Sequence, residues 1–221
     1  MSESNGISLL SSSPRRRELI KSLMNPVSIS GSRGEEPRPA AGEIAEKYVI
    51  RSAIAKLGER SWSGGDGWLV SADTVVVLDG DILGKPNSDE EARAMLTRLR
   101  DRRHQVVTGI AVADAGSWQM RCEVETSDIY TRNYSDEDIE AYIARREPFD
   151  KAGAYAVQDD EFDPVIRVDG CYLNVVGLPM CLLVAALDTL GARPKLRPLD
   201  QIPYYDRCSD CRLQAVSESE P

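Results

Sequence analysis

Apolar residues recur along the chain with two different periods. Ile7–Leu10 is a short apolar run of the kind that forms a buried strand. Ser11-Ser12-Ser13-Pro14 follows, with Ser13 suited to cap a helix and Pro14 to its first turn. That helix is predicted over Arg15 to Leu23, with Leu19, Ile20 and Leu23 on one face. Residues 31–42 are rich in Gly, Pro, Arg and Glu and read as a loop. A second helix spans residues 43–57. Steps of three and four place Ala45, Tyr48, Val49, Ser52, Ala53 and Lys56 on its inner stripe, and Gly58 suits its C-terminal cap.

From Trp68 to Leu78 the pattern changes to an apolar strand interrupted by Ser71-Ala72-Asp73-Thr74. Asp79-Gly80 signals a hairpin turn before Ile82-Leu83. A helix is predicted over residues 88–99. Ser88 and Glu91 suggest a capping box, and Ala92, Met95, Leu96 and Leu99 form the core stripe. Strands are expected near residues 105–113 and 123–130. A helix from Ser135 turns Ile139, Tyr142 and Ile143 inward and stops before Pro148. After a polar loop over residues 159–164, strands are expected at 165–168 and 172–175, then a helix from Pro179 to before Gly191. Alternating helices and strands predict an α/β fold with a mixed sheet. From Ala192 the composition shifts to Pro, Arg, Tyr and Ser, which predicts a poorly ordered tail over residues 192–221 after a domain of residues 1–191.

Composition narrows the function classes. The chain has 221 residues, of which 42% are hydrophobic and 29% charged, as in a soluble globular protein. Its start lacks the basic and apolar regions of a signal peptide, and no apolar run approaches a bilayer span, so a cytoplasmic protein with no membrane partner is expected. A net charge of −9 argues against a nucleic-acid partner, while leaving room for a small phosphorylated ligand if a few cations line one pocket. Five cysteines without a signal peptide point to reduced thiols. The single pair Cys208-x-x-Cys211 lacks the second pair that a structural zinc site needs.

Three constellations carry candidate chemistry. In Ser11-Ser12-Ser13-Pro14-Arg15-Arg16-Arg17, a helix N-terminus with hydroxyls and guanidinium groups can hold phosphate, or it is a capped helix with solvated arginines. Asp73 lies between two apolar triplets, where a carboxylate is costly to bury unless paired or metal-bound; the alternative is a strand-end Asp that satisfies a turn. Lys56, Lys85 and Lys151 sit in apolar or turn settings, although each alone reads as a solvated cation. His104, the only histidine, opens a strand and is expected to make a structural hydrogen bond. There is no Walker A loop and no GxGxxG.

Taken together, these segments resemble the Maf family. LLSSSPRRRELI resembles its opening, close to LASxSPRRxELL, and SADTVVVLDGDILGKP its central ADT motif and hairpin. EEARAMLTRLRDRRHQVVTGIAV resembles the helix and strand that follow. SDEDIEAYIARREPFDKAGAYAVQ is similar to SxEEIExYxxxxEPxDKAGAYGIQ, and NVVGLP fits near the end. The resemblance covers residues 6–190 with its motifs in order. It implies an elongated mixed sheet with flanking helices and two lobes around a central cleft, in a protein that is often a homodimer. It also implies hydrolysis of nucleoside triphosphates between the α and β phosphates with a divalent cation, Mg²⁺ or Mn²⁺.

By resemblance, Asp73 is the proton acceptor, and Glu36, or its neighbour Glu35, helps it hold the metal. Arg15, Lys56, Lys85 and Lys151, with Ser11 and Ser13, would bind substrate. Arg15, Thr74 and Gln158 match the branch of the family that prefers dTTP and UTP over 7-methyl-GTP. Ala156 departs from the usual glycine, and the acidic stretch 159–164 departs from a Gly-rich one, both beside Gln158. The readings weighed against this are a 7-methyl-GTP or ITP-type pyrophosphatase, and a septum-formation regulator that binds nucleotide without turnover.

Overall fold

The structure, a computed structural model, describes residues 6–58, 67–208 and 213. Seven strands form one mixed sheet: β1 (Gly6–Leu10), β2 (Val27–Ser30), β3 (Gly67–Leu78), β4 (Asp81–Leu83), β5 (Arg103–Asp114), β6 (Met120–Thr131) and β7 (Val165–Asp169). The order is β2-β1-β3-β5-β6-β7, with β4 also on β3. β1 lies parallel to β2 and β3, and the remaining pairs are antiparallel. The helices are α1 (Pro14–Ile20), α2 (Ala45–Leu57), α3 (Asp89–Leu99), α4 (Asp136–Ala144), α5 (Tyr172–Val176) and α6 (Met180–Thr189). Among the described residues no helix is long and apolar enough to cross a membrane.

Strand alternation divides the side chains of β3 between two faces. Val70 and Ala72 join a cluster with Leu19, Ile20, Leu173, Leu183 and Leu187 from α1, α5 and α6. Val76 and Leu78, on the same face, join a second cluster with Leu96, Leu99, Ile139 and Tyr142 from α3 and α4. Between the two lobes that face carries only Thr74, paired in register with Thr108. On the opposite face Leu69 and Val75 pack under α2, against Ala53 and Leu57 at one end and Tyr48 and Val49 at the other.

α2 lies very close to the sheet. A Cβ at Gly109 would fall 2.8 Å from the Val49 carbonyl carbon, so the helix backbone rests directly on β5 at that point. Gly109 is the register partner of Asp73, and this contact therefore sets how far the end of α2 stands from Asp73.

Several expectations need correction. α1 ends at Ile20, and the chain then turns into β2, an edge strand that the apolar pattern had not indicated. Residues 172–175, expected as a strand, form α5; positive-φ glycines at 170 and 177 bracket a single helical turn and a half that buries Tyr172, Leu173 and Val176. Ser88 caps α3, but Glu91 accepts from the Asn87 amide at 2.7 Å, so the reciprocal box is absent there and occurs instead at Ser135 and Asp138. Residues 192–208 were expected to be loose. They instead bridge Leu196 to Leu23 and bury Ile202 in the first cluster. Cys208 packs on that cluster too, while Cys211 lies outside the described residues.

Gly109→Ala tests the close contact. A methyl group there must push α2 outward, since the atom it meets is backbone. Urea denaturation is expected to show a loss of about 1–3 kcal/mol. An unchanged midpoint would mean that α2 does not rest on β5.

Candidate functional site

The cleft begins as a gap in strand pairing. One edge of β3 is paired to β5 from Trp68 to Val77. The other edge pairs with β1 only through Val70 and with β4 only from Val76. The stretch Ser71–Val75 therefore has no strand on that side, and Asp73 stands at its centre. A cavity of about 290 Å³ opens there, lined by Ser13, Arg15, Glu36, Lys56, Asp73, Thr74, Lys85, Lys151 and Gln158 among others. Ser11 lines an adjoining cavity of about 230 Å³ that shares Ser13, Glu36, Lys56 and Lys85 with the first. The candidate residues, scattered over almost 150 positions of sequence, thus converge on two neighbouring spaces.

The charge centre is compact. Lys56 Nζ donates to Asp73 Oδ1 at 2.6 Å and lies 2.9 Å from Glu36 Oε2. Lys56 is 8% exposed and Asp73 5%, so the ion pair is buried. The other oxygen, Asp73 Oδ2, is buried without a hydrogen-bond partner. Glu36 is half-exposed at the mouth. Burial pushes its carboxyl pKa up, but the charge and hydrogen bond of Lys56, with the charges of Lys85 and Arg16, outweigh that and hold it below the usual carboxylate range. Tyr48 faces the same acids. Burial, then the charges of Asp73 and Glu36, push its phenol up to about 12, so it stays protonated.

Arg16, which the sequence had not singled out, sits across the cleft and is partly buried. Its Nε donates to the Gly177 carbonyl and its Nη2 to Thr74 Oγ1, both at 2.8 Å. Thr108 Oγ1 donates to the Asn174 carbonyl, which leaves the Thr74 hydroxyl to donate to Thr108, 2.8 Å away. The chain of donors runs from guanidinium to carbonyl and fixes Arg16 between the lobes. Burial lowers the Arg16 pKa, partly offset by Asp73, yet a guanidinium remains charged.

The rim is closed by an acid–base exchange. Arg15 Nη1 donates to Asp150 Oδ2 at 3.1 Å. Lys151 Nζ, itself buried, donates to the Glu147 carbonyl, to Glu147 Oε2 and to Asp150 Oδ1. Asp150, also missed in the sequence, therefore holds both cations; burial alone would raise its pKa, but Lys151 and Arg15 keep it low.

At the far end, Gln158 follows a segment anchored by Tyr155, whose hydroxyl lies 2.6 Å from His104 Nε2. Burial pushes the His104 pKa down to about 4, so its role is that of a neutral hydrogen-bonding group. Ala156 does not have a positive φ, so the departure from glycine brings no backbone strain. The acidic loop after Gln158 turns away from the cavity. Asp159 accepts from the Phe162 amide and from Arg145, which also holds Glu161, while Phe162 stacks on Tyr142.

A signal for Arg16 was present: it stands three, four and seven residues before Leu19, Ile20 and Leu23, on the apolar side of α1. Asp150 carried no such signal, since its turn position resembles any solvated acid. Among the described residues, no group of three or more His, Cys, Asp or Glu is placed to hold a metal; Asp73 and Glu36 form a pair only.

The sequence model of the family described as Maf-like protein matches residues 6–190. The dTTP/UTP pyrophosphatase of Dehalococcoides mccartyi strain 195 is 37% identical over 207 residues, 94% of this chain and 91% of that protein. The dTTP/UTP pyrophosphatase of Thermomicrobium roseum is 41% identical over 209 residues, covering 93% and 92% respectively. That of Caldicellulosiruptor saccharolyticus is 42% identical over 190 residues, covering 83% and 94%. With a family match spanning both lobes and the cleft between them, and relatives aligned over nearly their whole length, the chain belongs to the Maf-like protein family.

Proposed function

We propose that the chain hydrolyses nucleoside triphosphates, dTTP and UTP foremost, to the monophosphate and pyrophosphate. The observation that carries this reading is the buried Lys56–Asp73 pair, touching Glu36, at a strand gap whose rim brings Arg15, Lys85 and Lys151 together with their acidic partners. Such a site offers an acceptor for one proton and several partners for phosphate oxygens in a poorly hydrated space. The relatives named dTTP/UTP pyrophosphatase support the same reaction class and the same bases.

A divalent cation fits the residues present. Asp73 Oδ2 is a buried, unpartnered carboxylate oxygen, and Glu36 lies on the other side of Lys56. Mg²⁺ or Mn²⁺ takes hard oxygen donors and commonly binds through one or two carboxylates together with water and substrate phosphates. Bound there, it would polarise the phosphate oxygens as a Lewis acid.

The chain's own residues divide the remaining work. The Asp73 carboxylate accepts a proton from water as the water oxygen bonds to the α-phosphorus. The bond from that phosphorus to the oxygen bridging to the β-phosphorus breaks, and pyrophosphate leaves with that oxygen. Arg16 and Lys85 face the charge that develops on the leaving group. Arg15 and Lys151 pair with Asp150 and Glu147, so phosphate oxygens would compete with these acids for them, while Ser11 and Ser13 offer hydroxyls beside α1. Thr74 uses its hydroxyl to position Arg16. Gln158 can donate and accept at once, which suits a pyrimidine edge. A homodimer remains part of this reading by resemblance.

Two outcomes are expected. Ion-exchange analysis of a nucleotide panel should give monophosphate plus pyrophosphate, only with Mg²⁺ or Mn²⁺ present, and with the highest kcat/KM for dTTP and UTP. Diphosphate plus inorganic phosphate would refute the reaction, and a preference for ITP or a methylated GTP would refute the base assignment. Asp73→Asn keeps an oxygen for Lys56 but removes the charge. It should lower kcat/KM by about 10²–10⁴-fold while the protein still melts cooperatively, because Lys56 retains Glu36. Near-normal kcat would remove Asp73 from the chemistry.

A further inference from the structure

The segment after α6 lies beyond the family match, yet it contacts both the turn after α1 and the loop after Gln158. Its first half is tied to the turn after α1, the helix that carries Arg15 and Arg16. Leu196 bridges to Leu23, and Arg197 donates its amide to the Ser22 carbonyl at 2.8 Å and its Nε to the Lys21 carbonyl at 2.9 Å. Ile202 then anchors the segment in the core at 3% exposure. Its second half reaches the loop after Gln158. Arg207 Nη2 forms an ion pair with Asp160 at 3.0 Å, and its Nη1 points to Tyr172 Oη at 3.5 Å. Tyr172 is buried and turns its hydroxyl to the Val157 carbonyl at 3.3 Å, one residue before Gln158.

Both partners of Arg207 flank the same short stretch. Asp160 follows Gln158 by two residues, and Tyr172 holds the residue before it. The backbone that presents Gln158 to the cavity is therefore gripped from both sides through a single guanidinium. An exposed ion pair alone contributes little to stability, but a planar fork that engages two groups fixes geometry as well.

We propose that residues 192–207 form a strap that sets base selectivity, with Arg207 as a positioning residue that acts on Gln158 through Asp160 and Tyr172. The proposal rests on the pyrophosphatase reading above. It assigns a role to a segment outside the family match and to Asp160, the strap's attachment point in the acidic loop after Gln158. The strap's other end, on the turn after α1, keeps the base end in register with the phosphate end.

The test uses the full chain and compares Arg207→Met, Arg207→Lys, Asp160→Asn and the Arg207→Met/Asp160→Asn double variant. Steady-state KM and kcat are measured for UTP, dTTP and GTP, with thermal melting of each preparation. In both single neutralising variants, KM for UTP and dTTP should rise about threefold to tenfold, the scale of one ordinary hydrogen bond. KM for GTP and kcat should move much less. The double variant should be no worse than either single one, and Arg207→Lys should recover part of the loss through Asp160. Unchanged KM ratios in a selective wild type, with or without a lower melting temperature, would overturn the strap and leave the activity standing. A wild type that neither turns over nor binds UTP would overturn the reading beneath it.

Discussion

The ion pair between Lys56 and Asp73 is the interaction on which the rest of this structure depends. Taking two charges out of water costs several kcal/mol per ion, and their attraction offsets that only where the geometry is well held. Here the geometry is held by backbone. α2 rests on the sheet at Gly109, directly beside Asp73, and delivers Lys56 to within 2.6 Å of the carboxylate. Hydrophobic residues of similar volume would fill the same space at lower cost. A buried charged pair with one unpartnered oxygen is the arrangement expected where reactivity, and not stability, sets the side chains.

Sheet topology explains why that arrangement opens onto a cleft. A strand as long as β3 covered along both edges would bury Asp73 without access. β1 stops at its pairing with Val70, and β4 begins at Val76, so the site is the interval between two short neighbours. The same interval separates the two apolar clusters on the opposite face. Thr74, Thr108 and Arg16 fill it with a directed chain of hydrogen bonds that couples α1 to the turn before α6. Each lobe can thus pack as an ordinary core, while the seam between them remains polar and rigid.

Much of this was legible in the residues themselves. The 3.6-residue period of α2 placed a lysine among apolar neighbours, and the apolar triplets around Asp73 marked a carboxylate that needed a partner. The structure joins the two to each other, which neither pattern alone could specify because the contact is set by α2 crossing the sheet. Arg16 was hidden by company: among three consecutive arginines only the helical offset to Leu19, Ile20 and Leu23 distinguishes the one that reaches Thr74 and Gly177. β2 is short, lies at an edge and alternates Val, Ser, Ile and Ser, so it carries little apolar signal. Residues 172–176 have strand-like composition, but Gly170 and Gly177 and the packing of α5 decide the outcome. The segment after residue 191 looked loose because its anchors are single residues, Leu196, Ile202 and Arg207, each with a distant partner.

In the proposed function, Glu36 and Asp73, bridged by Lys56, act as one unit on a single cation and its bound triphosphate. The most direct measurement is kcat/KM for UTP in Glu36→Gln, in Asp73→Asn and in the double variant, at saturating Mg²⁺. Groups that act as a unit are non-additive. Each single variant should be strongly impaired, and the double variant no worse than Asp73→Asn. Losses that multiply in the double variant, or a Glu36→Gln enzyme with wild-type kcat/KM, would contradict that coupling.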